Sequence, residues 1–177
     1  MKELEEKTLS TKLVYQGKIL NLRVDQITLP NGKEGAREVV EFSQAVAVVA
    51  LKDNKDVLFV SQYRYPVGEV LIEIPAGKLD REESPEQCAR RELQEETGYT
   101  AKHMEKICEF YTTPGFSNEL MHIFFATGLT EGEQNPDEDE FVKVSEVPYA
   151  EAVKMIGDGK LRDGKTIAGL LAVNGKV

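Results

Sequence analysis

The segment Ser84-Pro-Glu-Gln-Cys-Ala-Arg-Arg-Glu-Leu-Gln-Glu-Glu-Thr-Gly98 constrains the fold more than any other stretch. Ser84 is a good N-cap, Pro85 suits the first helical position, and Gln87 completes a capping-box pattern. Gly98 stands where a left-handed residue ends a helix. Projected at about 100° per residue with Glu92 at zero, Glu96 falls at about 40°, Glu95 at about −60°, Ala89 at about 60°, Cys88 at about −40° and Leu93 at about 100°. Gln87, Arg90 and Gln94 fall on the opposite side. The carboxylates therefore share an arc with the small and apolar residues, the side that should face the protein body. An exposed charge run, the ordinary reading of a Glu-rich helix with an Arg91–Glu95 pair, would be placed the other way round.

The elements around this helix point to an α/β fold. Ala45 to Leu51, Val57 to Tyr63 and Val70 to Ile74 are short, β-branched runs bounded by turn residues, which predicts buried strands. Further strands are expected near Lys106 to Tyr111, Leu120 to Ala126 and Phe141 to Val144. A C-terminal helix pair is expected over Pro148 to Ile156 and Lys165 to Val173, with Gly157-Asp-Gly159 between them. Residues 11 to 42 read as antiparallel strands, with an Asn31-Gly32 hairpin turn and a return strand over Arg37 to Phe42. Apolar positions 20, 22 and 24 give way to Ile27 and Leu29, and this change of parity predicts a bulge near Asp25 or Gln26. The hairpin is short of apolar partners, so it should lean on the rest of the chain or on a second subunit.

Composition narrows the function. Twenty-two Lys and Arg against 31 Asp and Glu give a net charge of −9 over 177 residues, which disfavours sequence-independent binding to nucleic acid. The longest apolar run, Ala45 to Leu51, is far below the ~20 residues that span a bilayer, so no membrane insertion is expected. The charged start of the chain does not resemble a signal peptide, and Cys88 and Cys108 are too few for a disulfide framework. A cytoplasmic protein is expected. The acidity also argues, at first sight, against a phosphate-bearing substrate.

Glu92 and Glu96 are like charges one helical turn apart, and something positive should lie between them. Converging carboxylate oxygens suit a hard divalent cation such as Mg²⁺ or Mn²⁺, and no Cys or His cluster favours zinc. His103 and His122 are isolated, and His122 reads as an ordinary strand residue. Upstream, Ile74-Pro-Ala-Gly77 ends a strand and a loop leads into the helix, a layout that often handles phosphate. The spacing is specific: Gly77, five residues, Glu83, seven residues, Arg91-Glu92-Leu93, one residue, Glu95-Glu96, one residue, Gly98-Tyr99. It matches the Nudix box at every defined position, and the chain resembles the Nudix hydrolases, which cleave nucleoside diphosphates linked to another moiety.

That resemblance implies an α/β/α sandwich with a mixed sheet, plus a small N-terminal antiparallel β-sheet domain: residues 1–42 for dimerisation and substrate contact, residues 43–177 for the hydrolase. It implies Glu92 and Glu96 as principal metal ligands, Glu95 as a further ligand or water partner, Glu83 as an additional contact and the Ala76 carbonyl as a backbone ligand. Arg91 would orient the box carboxylates, while Leu93 and Gly98 would be structural. Pro114, sixteen residues after Gly98 in Thr112-Thr-Pro-Gly-Phe-Ser-Asn-Glu119, resembles the proline marker of the ADP-ribose pyrophosphatase branch. Arg37-Glu38, Gln62-Tyr-Arg-Tyr-Pro66 and Glu138-Asp-Glu-Phe-Val142 also look like segments of that branch. It implies Mg²⁺-dependent hydrolysis of ADP-ribose to AMP and ribose 5-phosphate. Glu140, or else Glu138, would be the base, and Arg64 would contact the diphosphate or form a strand-end ion pair. Arg37 and Glu38 would contact the adenosine end across a homodimer formed by the N-terminal strands. Other nucleoside diphosphate sugars, NADH or a nucleoside triphosphate are alternative substrates, and a non-catalytic ADP-ribose sensor is the alternative from another class. With metal bound, the acidity becomes a means of gripping a diphosphate.

Overall fold

The computed structural model describes residues 2–80, 82–136 and 140–177. The strands are β1 (Lys7–Gln16), β2 (Asn21–Thr28), β3 (Glu34–Glu41), β4 (Ala45–Ala50), β5 (Asp56–Arg64), β6 (Glu69–Glu73), β7 (Ala76–Lys78), β8 (Tyr99–Tyr111), β9 (Leu120–Glu131) and β10 (Val142–Pro148). The helices are α1 (Pro85–Thr97), α2 (Tyr149–Gly157) and α3 (Gly164–Ala172). The chain divides into two compact units, Met1–Ser43 with Tyr111–Leu120, and Gln44–Phe110 with Met121–Val177.

The larger unit is built on β4. Every residue of this strand is buried, and the pleat sends alternate side chains into two cores. Ala45, Ala47 and Val49 pack with Tyr149, Ala152 and Met155 of α2 and Leu170 of α3. Val46, Val48 and Ala50 pack with Cys88, Ala89 and Leu93 of α1. The sheet order is β7-β4-β9-β8; β4 runs parallel to β9, pairing Ala45 with Met121 through Ala50 with Ala126, and antiparallel to β7. The result is the expected α/β/α sandwich on a mixed sheet. A second sheet, β10-β5-β6, has β10 and β5 in unbroken antiparallel register from Val142↔Gln62 to Pro148↔Asp56. The strand expected from Lys106 begins earlier, at Tyr99. As the edge of its sheet β8 is half-wetted, and its polar residues hide the strand from a hydrophobicity reading.

The smaller unit is a three-stranded antiparallel sheet, β1-β2-β3. Its β2–β3 turn is the expected one: Gly32 has φ +81°, its N–H donates to the Leu29 carbonyl at 2.8 Å, and Asn31 Oδ1 accepts from the Lys33 N–H at 3.0 Å. The expected bulge in β2 is absent, since β2 pairs with β3 without a break from Asn21↔Glu41 to Thr28↔Glu34. The register shifts lie in β1, between Thr8 and Ser10 and between Leu13 and Tyr15. Parity changes in β2 for another reason: Asp25, paired with Arg23 at 2.9 Å, is buried on the same face as Ile27. All ten residues of β1 are exposed, including Leu9, Leu13, Val14 and Tyr15.

Candidate active site

Helix α1 has the caps expected of it. Ser84 Oγ accepts from the Gln87 N–H at 3.3 Å, and Gln87 Oε1 accepts from the Ser84 N–H at 2.8 Å. Gly98, at φ +79°, donates its N–H to the Gln94 carbonyl. These ends set the rotation of the helix, and Cys88, Ala89, Glu92, Leu93, Glu96 and Thr97 turn into the protein. Two carboxylates are thus carried inward by an apolar face.

The strand–loop before the helix receives them. β7 is held against β4 through Ala47↔Ala76 and Val46↔Gly77. The Ala76 N–H donates to Glu96 Oε2 at 2.8 Å. Glu92 rests on Gly77, where a Cβ would lie 1.9 Å from its carboxyl carbon; only glycine leaves room for that carboxylate.

Arg91 gathers the remaining charges. Its Nη1 donates to Glu92 Oε1 and to Glu95 Oε2, each at 2.7 Å, and its Nη2 and Nε donate to Glu83 Oε1 at 2.7 Å and Oε2 at 3.2 Å. Hydrogen bonds from Arg91 pull the Glu83 carboxyl down to about 2. Burial pushes Glu92 up to about 7 against the pull of Arg91, with Glu95 and Glu140 adding repulsion. Glu96 is pushed up to about 8 by burial, opposed by the Ala76 N–H and reinforced by Glu92 and Glu140. Among the described residues no three of His, Cys, Asp and Glu already converge as a closed nest for an ion; the Arg91 guanidinium lies among the carboxylates instead. The donors nevertheless fit a hard divalent cation: all are oxygens, two are buried beside each other, and their raised proton affinity marks a place short of positive charge.

The loop after β9 is fastened to the C-terminal end of α1. Gln134 Nε2 donates to the Glu96 carbonyl at 2.7 Å, and the Asn135 N–H donates to the Glu95 carbonyl at 3.0 Å. Gly98 permits this approach, since a Cβ there would lie 2.9 Å from Gln134 N and from the Gly132 carbonyl. Glu140, half-buried, lies within electrostatic range of Glu92 and Glu96. Glu138 lies outside the described residues. Neither Gln134 nor Asn135 carries a sequence signal, because their partners are helix carbonyls nearly forty positions away.

Arg64 ends β5 as half of an ion pair, its Nε and Nη2 each donating to Glu73 at 2.7 Å. Arg37 and Glu38 lie on β3, where Arg37 Nε donates to Glu6 Oε2 at 3.0 Å. Pro114 belongs to the loop of the smaller unit, whose Phe116 carbonyl accepts from the Val40 N–H at 2.7 Å and whose Asn118 Oδ1 accepts from the Phe42 N–H at 2.9 Å. His122 is a buried strand residue with Nε2 2.8 Å from Gln44 Oε1. No described helix is long and apolar enough to cross a membrane.

Comparison with known proteins agrees with this geometry. The NUDIX domain model matches residues 41–170, and the model of the nucleoside diphosphate sugar hydrolase N-terminal domain matches residues 6–40. The chain is 47% identical over 168 residues to an ADP-ribose pyrophosphatase of Bacillus subtilis, covering 94% of this chain and 91% of that one. It is 42% identical over 168 residues, with the same coverage, to a methanol dehydrogenase activator of Bacillus methanolicus. In fold it is similar to a crystal structure described as an ADP compounds hydrolase, with TM-score 0.88 and 20% identity over 97% of this chain and 93% of that one. With the glycine seat, the inward carboxylates and the Arg91 hub all carried by residues 77 to 98, the chain belongs to the Nudix family.

Proposed function

We propose that this protein is a divalent-cation-dependent hydrolase that cleaves the diphosphate of ADP-ribose to AMP and ribose 5-phosphate, with Mg²⁺ as the ion and Mn²⁺ as a substitute. The observation that carries the reading is the pair of buried carboxylates, Glu92 and Glu96, set beside Ala76 and Gly77 in a chain whose relative from Bacillus subtilis bears that name.

Glu92, Glu96, Glu95, Glu83 and the Ala76 carbonyl would hold the cation, which supplies positive charge against the diphosphate oxygens and acidifies water. Arg91 keeps three box carboxylates in register before substrate arrives. Glu140 accepts the proton of the attacking water; Arg64 meets the diphosphate, and Arg37, Glu38 and Pro114 serve the adenosine and ribose ends. Glu140→Gln should then lose turnover by about 10²-fold or more while cation binding is retained. If Glu138→Gln alone produces that loss, the base is Glu138.

A second substrate reading, another nucleoside diphosphate sugar, is favoured by the N-terminal match over residues 6–40. The relative named as an activator raises a role without turnover, against which stands the full set of box carboxylates in this chain. A substrate panel with Mg²⁺ or Mn²⁺ decides: AMP released from ADP-ribose supports the proposal, turnover of another sugar nucleotide alone moves the substrate, and binding without turnover makes the protein a sensor.

The bare apolar side chains of β1 support a homodimer through the N-terminal strands. Light scattering should give a mass of two 19.8-kDa chains, and Leu13→Glu should halve it; a monomeric wild type ends the proposal. Cys88 and Cys108 are both free, in keeping with the reducing cytoplasm, which cell fractionation checks.

A further inference from the structure

Three charged side chains far apart in the sequence meet at the end of β6. Glu73 is 1% exposed. Burial alone would raise its proton affinity, yet hydrogen bonds from Arg64 and the charge of Lys165 outweigh this and hold the carboxyl below its ordinary range. Arg64 binds it in a fork, Nε to Oε1 and Nη2 to Oε2, each at 2.7 Å. The Lys165 ammonium meets the same Oε2 and lies 3.1 Å from Asp163 Oδ1. Lys165 is itself fixed by the first turn of α3. Asp163 Oδ2 accepts from the Thr166 N–H at 3.0 Å and from its hydroxyl at 2.6 Å, and Thr166 Oγ1 accepts from the Ile74 N–H at 2.9 Å.

The fork fixes the plane of the guanidinium and turns one edge away. Arg64 is 41% exposed along its side chain, and its Nη1 makes no hydrogen bond among the described residues. Arg64 lies near the box, because its partner Glu73 stands three residues before Ala76, whose N–H donates to Glu96 at 2.8 Å, and the Glu96 charge raises the proton affinity of Arg64. A guanidinium paired one-to-one with a carboxylate is nearly neutral to a third charge. Lys165 is a second cation on the same carboxylate, paired in turn with Asp163 at 3.1 Å, so the four groups together carry no net charge. What Lys165 adds is a second hold on Glu73, which keeps the fork, and with it the plane of the guanidinium, in place.

We propose that Glu73 and Lys165 are positioning residues that hold the Arg64 guanidinium oriented as the anchor for the substrate's diphosphate. This rests on the diphosphate reading above, though not on ADP-ribose as the particular substrate. Glu73 sets the orientation of Arg64 and Lys165 holds Glu73, so neither needs to touch the substrate.

The test is a double-mutant cycle read by calorimetry of ADP binding in Mg²⁺, a probe that carries the diphosphate and needs no turnover. Lys165→Met should weaken ADP by about 5- to 10-fold, and Lys165→Arg should restore it. In an Arg64→Ala background, Lys165→Met should add nothing further. With whichever substrate the wild type hydrolyses, Lys165→Met should raise KM and leave kcat within about twofold. If Lys165→Met does not fold, Lys165→Gln and Glu73→Gln run the same cycle with the same expected signs. Losses that multiply in the double variant, or a lowered melting temperature with unchanged ADP affinity, overturn the proposal. Failure of the ADP-ribose assay would leave the cycle readable, so the two ideas fall separately.

Discussion

Glu96→Gln should lower turnover by on the order of a thousandfold, ~4 kcal/mol of lost transition-state stabilisation, while the cation-free protein keeps or gains stability. Both halves come from one geometry. Gln can still accept the Ala76 N–H through its amide oxygen, so the hydrogen bond at 2.8 Å survives, but it offers no charge to a cation. Without a cation, the Glu96 charge is a cost, because burial has raised its pKa from 4.5 to about 8. A carboxyl with a raised folded-state pKa binds more protons folded than unfolded between those values. Stability therefore falls as pH rises through that window. A tenfold change in proton affinity is worth ~1.4 kcal/mol, so the wild type in chelator should melt about 10 °C lower at pH 8.5 than at pH 5.5. The drop should shrink in Glu96→Gln, and excess Mg²⁺ should reverse it in the wild type alone. Equal activity in the variant, or identical pH profiles of melting, would count against the ligand role.

Gly77→Ala should remove activity by about 10²-fold or more without unfolding the chain. The new Cβ would lie 1.9 Å from the Glu92 carboxyl carbon and Oε1. β7 cannot retreat, because it is paired to β4 at this position. The flexible end of Glu92 must move instead, leaving its seat and its 2.7 Å contact with Arg91. A cation titration followed by Mn²⁺ paramagnetism should show weakened binding, with the melting temperature in chelator within a few degrees of wild type. A variant that binds Mn²⁺ as tightly as wild type would show that Glu92 is not where the ion sits.

Much of this arrangement is legible in the sequence because its signals are local. The caps of α1, its rotation and the inward turn of Glu92 and Glu96 all follow from fifteen consecutive residues. β4 declares itself through an unbroken apolar run, and the Asn31-Gly32 turn through its two residues. What escapes such reading depends on partners distant in the chain. The change of parity in β2 looks like a bulge because hydrophobicity alone cannot tell that Asp25 turns inward with Arg23 as its counter-ion; the true shifts sit in β1, where every side chain is exposed. Glu73 looks like a polar strand end until Lys165, 92 positions later, is seen to share its carboxylate. Gln134 and Asn135 are ordinary loop residues until the end of α1 is found against them.

The Arg91 hub bears on how the protein lives between catalytic cycles. Several acidic groups crowded in one place would ordinarily make a fold that opens when its ion departs, as small zinc domains do. Here a covalently attached cation is always at hand, contacting Glu83, Glu92 and Glu95. An ion held by the proposed ligands should therefore be able to leave, and another to enter, without the chain coming apart. On the proposed metal site, ion-starved molecules should wait as folded, idle enzyme, and restored supply should return them to work at the speed of ion diffusion rather than of refolding.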